Sequence, residues 1–103
     1  MTDSLQQLAP WLYPWAVWLY RQYPYAHITS VFRSTAEQRE LYEGCQRGGC
    51  KFPVAPPGQS MHGRRRAWDM VAPAAVLVEL GRRWEAVGGR WGGRFGDPIH
   101  FEA

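Results

Sequence analysis

Lysine, histidine, aspartate and cysteine are all scarce in this chain of 103 residues, which holds one lysine, three histidines, three aspartates and two cysteines. Two cysteines cannot complete a structural zinc site, which needs further Cys or His partners, and only His27 is left over for that purpose. Cys45 and Cys50, separated by Gln46-Arg47-Gly48-Gly49, are therefore read as free thiols in or near a loop, with a local disulfide as the alternative. Long hydrophobic runs are missing too. The aromatic stretch from Trp11 to Tyr20 is interrupted by Pro14 and falls short of the roughly 20 apolar residues that a membrane-spanning helix needs. The start of the chain, Met1-Thr2-Asp3-Ser4, is acidic where a secretion signal is basic. Synthesis in the cytoplasm without an export signal is the expectation.

What is present can build a core. Hydrophobic residues make up 46% of the chain and aromatics 15%, with six tryptophans, far from a disordered composition. A chain this short buries only about two-thirds of its unfolded surface. One small domain, 1–103, with a thin stability margin is expected, and a bound metal would add to that margin. The formal charge of +3 rests on eleven arginines and Lys51. It suits an anionic partner such as a wall polymer, nucleic acid or membrane surface, and selects none of them. The run Arg64-Arg65-Arg66 invites a nucleic-acid reading, but three arginines beside a strand read better as a solvated edge, and no stable nucleic-acid partner is expected.

Periodicity supplies a coarse map. Residues 3–23 carry Leu5, Leu8, Leu12, Trp15, Leu19 and Tyr23 at mostly helical spacing, with Pro10 and Pro14 placed to split or kink the segment. The aromatics of this helix are read as core. His27–Arg33 alternates like a strand. Ser34 or Thr35 caps a helix over 36–45, in which Gln38 and Leu41 share a face, and Ser34 with Glu37 fits a capping box. Gly48–Gln59 is rich in glycine and proline and reads as a loop. A strand is expected over 67–71, and Pro73 opens a helix running to Val87 with Val76, Leu77, Leu80, Trp84 and Val87 on one face. Arg90–Trp91 and Ile99–Glu102 read as short strands. The sum is an α+β fold, two or three helices against a small antiparallel sheet.

The scarce residues concentrate in two stretches, Ser60–Asp69 and Gly96–Glu102, which take two of the three histidines and two of the three aspartates. A catalytic zinc takes three ligands from His and Asp/Glu and leaves a fourth position for water. His62, Asp69 and His100 would supply the three. Asp97 is then the spare carboxylate able to take a proton. The competing reading is chance, because H-x6-D and D-x-x-H are each common; the organised surroundings, a Pro/Gly loop followed by short strands, favour a site.

The pattern Ser60-x-His62-x6-Asp69, then Trp91-Gly92-Gly93 and Asp97-x-x-His100-Phe101-Glu102, resembles the LAS-type zinc peptidases, which include D-Ala-D-Ala carboxypeptidases, phage L-alanyl-D-glutamate endopeptidases and the hedgehog-like fold. Upstream, Phe32-Arg33-Ser34, Gln38, Leu41-Tyr42 and Gly44 are similar to the same family. The likeness covers residues 27–103, with 1–24 a separate helical segment. It implies a hedgehog/D-Ala-D-Ala-peptidase-like fold, a Zn2+ cofactor held by His62, Asp69 and His100, Asp97 as general base and acid, and Arg33 as the cation that stabilises charge on the reacting carbonyl oxygen. Ser60 is read as a substrate contact or a turn residue, and Trp91 as a cleft wall or a packing residue. Glu102 is read as a carboxylate near the site or exposed. One departure stands out: Arg65 occupies a position where the family has glycine, which implies a different local backbone or a side chain turned to solvent.

The resemblance implies a monomeric peptidoglycan peptidase that cleaves the stem peptide, in the first place an endolysin-type L-alanyl-D-glutamate endopeptidase of phage or prophage, acting on the wall after release or host lysis. D-Ala-D-Ala carboxypeptidase activity is the alternative within the family. A zinc-holding binding module without catalysis is the alternative of another class, and the presence of Asp97 argues against it.

Overall fold

The computed structural model describes residues 3–48, 50 and 53–103. Part of the expected loop, Gly49, Lys51 and Phe52, lies outside the described residues, as do Met1 and Thr2. Three helices, α1 (Tyr13–Tyr20), α2 (Thr35–Gln46) and α3 (Ala74–Ala86), accompany four strands, β1 (His27–Ser30), β2 (Ala67–Val71), β3 (Arg90–Trp91) and β4 (His100–Glu102). Short 3-10 turns span Asp3–Gln7, Met61–Arg64 and Gly92–Phe95. The sheet order is β1-β2-β4-β3, and each neighbouring pair is antiparallel. This is the α+β arrangement expected from the sequence.

The prolines divide the N-terminal segment as anticipated. A 3-10 turn comes first, and α1 starts afresh with Pro14 in its first turn, where a missing N–H leaves no hydrogen bond unmade. Restarting the helix changes which side faces inward. Leu5, Leu8, Leu12, Ala16, Leu19 and Tyr20 enter the core, whereas Trp11, Trp15 and Trp18 are exposed. Reading the aromatics of this segment as core is thus corrected for all three tryptophans.

Ser34 caps α2 as a capping box: its Oγ accepts from the Glu37 N–H at 3.1 Å, and Glu37 Oε1 accepts from the Ser34 N–H at 3.0 Å. After α2, Gly48 adopts φ 86° and turns the chain back. The Cα atoms of Cys45 and Cys50 come within 4.5 Å and the two form a disulfide, within the separation that a bridge requires. The expectation of free thiols is therefore corrected to the local disulfide.

β2 is the spine of the molecule. Ala67, Trp68 and Met70 are fully buried, and Trp68 lies between Trp84 of α3, edge-on at 5.1 Å, and Phe101 of β4, stacked at 5.6 Å. On α3, Leu77, Leu80, Gly81 and Trp84 face this core; Val87, past the helix end, is exposed instead. Gly81 has no side chain because the Trp91 ring lies directly on its Cα, where a Cβ would collide with it.

Arg65 is the one non-glycine residue at positive φ among the described residues, with φ 58° and ψ 33°. It keeps the left-handed turn that a glycine would make there. The strain of that conformation is offset by its side chain, whose guanidinium lies 4.0 Å from the Phe32 ring centre and donates to the Gln7 carbonyl at 3.0 Å. Arg66 is also engaged, donating to the Ala103 carbonyl at 2.6 Å. Two members of the arginine run therefore tie segments together rather than form a free solvated edge.

Candidate metal centre

Sheet register builds the site around Asp69. On β2 it pairs with His100 of β4 on one side and Ser30 of β1 on the other, next to an irregularity between Ile28 and Ser30. Directly opposed residues on an antiparallel pair hold their Cβ atoms about 5 Å apart, so Asp69 and His100 meet without help from a loop. His62 arrives from the 3-10 turn that follows Ser60, whose Oγ accepts from the His62 N–H at 3.2 Å. Asp97 closes the group. Its N–H donates to the Gly92 carbonyl at 2.8 Å, and its carbonyl accepts from the His100 N–H at 3.0 Å.

Both imidazoles are oriented by partners behind them. His62 Nδ1 faces the Val31 carbonyl at 2.7 Å, a contact that assigns its proton to Nδ1 and leaves Nε2 turned to Asp69 Oδ1 at 3.3 Å. His100 is mirrored: Nε2 faces Glu102 Oε1 at 2.7 Å, leaving Nδ1 at 3.4 Å from the same Asp69 oxygen. Ligands roughly 2.05 Å from one tetrahedral ion lie about 3.3 Å from each other. The two observed separations match that value. One donor atom from each of His62, Asp69 and His100 lies within 4.8 Å of the others, and Asp69 Oδ1 is buried without a hydrogen-bond partner. The residues therefore fit a zinc ion, and the outward-facing hydrogen bonds to Val31 and Glu102 are the kind that fix metal-binding histidines.

The electrostatics agree. Burial alone would push the Asp69 carboxyl up, but the His100 and His62 nitrogens that face it outweigh burial where they carry a proton and hold the group at about 2. His100 is depressed by burial yet net raised by its contacts with Asp69 and Glu102. Asp97 moves the other way: burial, then the Asp69 charge, raise it above the ordinary aspartate value. Two carboxylates in one site thus behave differently, one held as an anion and one able to carry a proton.

Arg33 stands beside them. Its Nη1 donates to Gln38 Oε1 at 2.8 Å and its Nη2 to Ser30 Oγ at 2.9 Å, with Asp69 Oδ2 3.5 Å from Nη2. Gln38 is buried and donates in turn to the Ala55 carbonyl at 2.6 Å, so the guanidinium is held rather than free. A cleft of about 670 Å³ runs from this centre along α2. Arg33, Ser60, His62, Asp69, Asp97 and His100 all line it, and its far wall includes the Cys45–Cys50 disulfide.

Trp91 is the sequence-derived site residue that the fold does not bring to the cleft. Its ring lies between Gly81 and Gly93, and its Nε1 donates to the Pro98 carbonyl at 2.8 Å, which is packing. Ser60 holds the turn, its Oγ accepting from the His62 N–H, and it also lines the cleft. Nothing in the sequence pattern gives Gln38 a task, and by sequence Glu102 is either near the site or exposed. Glu102 is buried, and its spacing from His100 was the available signal, since residues two apart on a strand share a face.

No family model matches the sequence, and no curated protein matches it. Among solved structures, the fold is shared with a point mutant of the vancomycin-resistance D,D-pentapeptidase VanY from a VanB-type cassette, in complex with Zn(II). The TM-score is 0.72 at 18% identity, over 92% of this chain and 71% of that one. It is shared also with the LdcB LD-carboxypeptidase, described with its basis of peptidoglycan recognition, with a TM-score of 0.69 at 20% identity over 98% of this chain and 67% of that one.

Proposed function

We propose that this protein is a zinc-dependent peptidase acting on the stem peptides of bacterial peptidoglycan. The observation that carries the reading is the donor trio of His62, Asp69 and His100, in which Asp69 Oδ1 stands at ligand separation from a nitrogen of each histidine, in one cleft with a raised carboxyl, Asp97, and a pinned cation, Arg33. A zinc ion held by the trio supplies Lewis acidity for hydrolysis. The remaining chemistry belongs to the chain. Asp97, raised by burial and by Asp69, takes a proton from the attacking water and returns it to the leaving amine. Arg33, fixed by Gln38 and Ser30, faces the negative charge that develops on the carbonyl oxygen. Because Gln38 and Ser30 hold it before substrate arrives, little reorganisation is needed during the reaction.

Two bonds compete as the target. D-Ala-D-Ala carboxypeptidase activity is favoured by the fold shared with two peptidases described as D,D-pentapeptidase and LD-carboxypeptidase. L-alanyl-D-glutamate endopeptidase activity, of the endolysin type and exerted on the wall after release, keeps the support of the sequence pattern, in which aspartate occupies the base position. Digestion of purified peptidoglycan with identification of the new termini decides. Release of D-Ala without loss of wall turbidity supports the carboxypeptidase; new N-terminal D-Glu supports the endopeptidase. Activity that survives a chelator, or does not return with Zn2+, would sink the zinc-peptidase reading itself.

A further inference from the structure

Helix α1, Tyr13-Pro14-Trp15-Ala16-Val17-Trp18-Leu19-Tyr20, carries no charged residue and is apolar on every side. Such a helix belongs in a core or in lipid, yet α1 buries only Ala16, Leu19 and Tyr20. Trp15 and Trp18 of α1, in edge-on contact at 6.4 Å, and Trp11 in the turn before the helix form an outward stripe at 49%, 37% and 55% exposure. None of their indole N–H groups finds a hydrogen-bond partner among the described residues, and none of the three lines the cleft that holds His62, Asp69 and His100.

The charge around the stripe has one dominant sign. No acidic residue occurs from Ser4 to Ala36. The Arg66 guanidinium lies 5.6 Å from the Trp11 ring centre, and exposed Arg21 follows the helix directly. Arg83 of α3 donates to Gln22 Oε1 at 2.7 Å, while Gln22 in turn donates to the Trp18 carbonyl; the nearby acid, Glu79, is paired with Arg83 itself.

We propose that the tryptophan stripe is a docking surface for an anionic lipid bilayer. Tryptophan, with an apolar ring and a free N–H, settles at the headgroup level, and bordering arginines attract anionic headgroups. A glycan strand fits less well, because sugars stack on open, aligned ring faces. Here Trp15 and Trp18 meet edge-on at 80° and 6.4 Å, and Arg66 sits over Trp11. A second copy of the chain fits less well too, since a two-fold contact through this face would set its arginines against each other.

The test is sedimentation of the full chain with vesicles of phosphatidylglycerol and phosphatidylcholine, with phosphatidylcholine vesicles alone, and with peptidoglycan sacculi, none of which requires enzymatic activity. The chain is expected to bind the anionic vesicles in a salt-dependent manner and to leave the neutral ones in solution. Replacing all three tryptophans (Trp11→Ser, Trp15→Ser, Trp18→Ser) weakens anionic-vesicle binding by at least about tenfold, with unchanged circular dichroism. Arg21→Glu alone weakens it by roughly fivefold or more, so the proposal stays testable if the triple variant fails to fold. Equal binding to both vesicle types, or undiminished binding by the variants, overturns the proposal. Loss of sacculus binding with vesicle binding intact would assign the stripe to glycan instead. A dimer abolished by the triple variant, without vesicle binding, would assign it to self-association.

Discussion

Removing the Glu102 carboxylate should weaken zinc binding without touching a ligand. In the folded chain Glu102 Oε1 accepts from His100 Nε2 at 2.7 Å, in a buried setting. That bond turns the Nδ1 face of the ring toward Asp69. Glu102→Ala leaves the buried Nε2–H without its acceptor, a loss of about 1–3 kcal/mol. At about 1.4 kcal/mol per factor of ten, this corresponds to roughly 5- to 140-fold in the zinc dissociation constant, which overlaps the range seen when partners of metal-binding histidines are removed elsewhere. Glu102→Gln keeps an acceptor oxygen and loses only the charge, so its effect should be smaller, roughly two- to fivefold. Arg90, whose exposed side chain reaches Glu102 Oε2 only at 3.8 Å, serves as a control; Arg90→Ala should change affinity by less than about twofold. Competition against a chromophoric chelator measures all three, with circular dichroism to verify the fold. If Glu102→Ala binds zinc as tightly as the unaltered chain, or Glu102→Gln is weaker than Glu102→Ala, the assigned role of this carboxylate is wrong.

Other expectations are equally concrete. Asp97→Asn should lower kcat/KM by about 10²- to 10⁴-fold while zinc stoichiometry stays at one per chain; retained wall hydrolysis would refute Asp97 as the base. Because burial and the Asp69 charge raise the Asp97 carboxyl, the base form is lost on acidification at a higher pH than for an ordinary aspartate. The acid limb of the kcat/KM profile should therefore lie clearly above about 3.9, and a limb at or below that value contradicts the reading. Arg65→Gly removes left-handed strain but also the contacts to Phe32 and Gln7, so chemical denaturation should find a change within about 1 kcal/mol. Arg65→Val loses the contacts and keeps a worse strain, and should destabilise by more than about 2 kcal/mol. Gly81→Ala drives a methyl into the Trp91 ring and should destabilise by about 1–3 kcal/mol; an unchanged melting midpoint would show that the ring moves aside freely.

Much of the fold was legible because local rules and tertiary packing agree. The capping box at Ser34, the strand over 67–71 and the helix after Pro73 each follow from a short-range signal, and each is where it was read. The N-terminal segment was read less well. Its leucines pack as expected, but the break near Pro10 and Pro14 resets the helical phase, and periodicity across a break cannot say which side turns inward. That phase shift exposes the three tryptophans. The disulfide stood only as the alternative to free thiols for a related reason: it depends on the reversal at Gly48, a backbone choice that spacing alone does not reveal.

By itself the sequence determined the inventory of the site. With so few histidines and aspartates, and two of each in two short stretches, the donor set and the spare carboxylate could be named, and the organised surroundings favoured a site over chance. Only the tertiary structure decided how those groups meet. The β2–β4 register sets Asp69 opposite His100, the 3-10 turn after Ser60 brings in His62, and the alternation of β4 places Glu102 behind His100. Those relations join residues distant along the chain, so they are fixed by strand pairing and packing rather than by any local pattern. The same holds for Arg33, which becomes a held cation only where Gln38 of α2 and Ser30 of β1 converge on it.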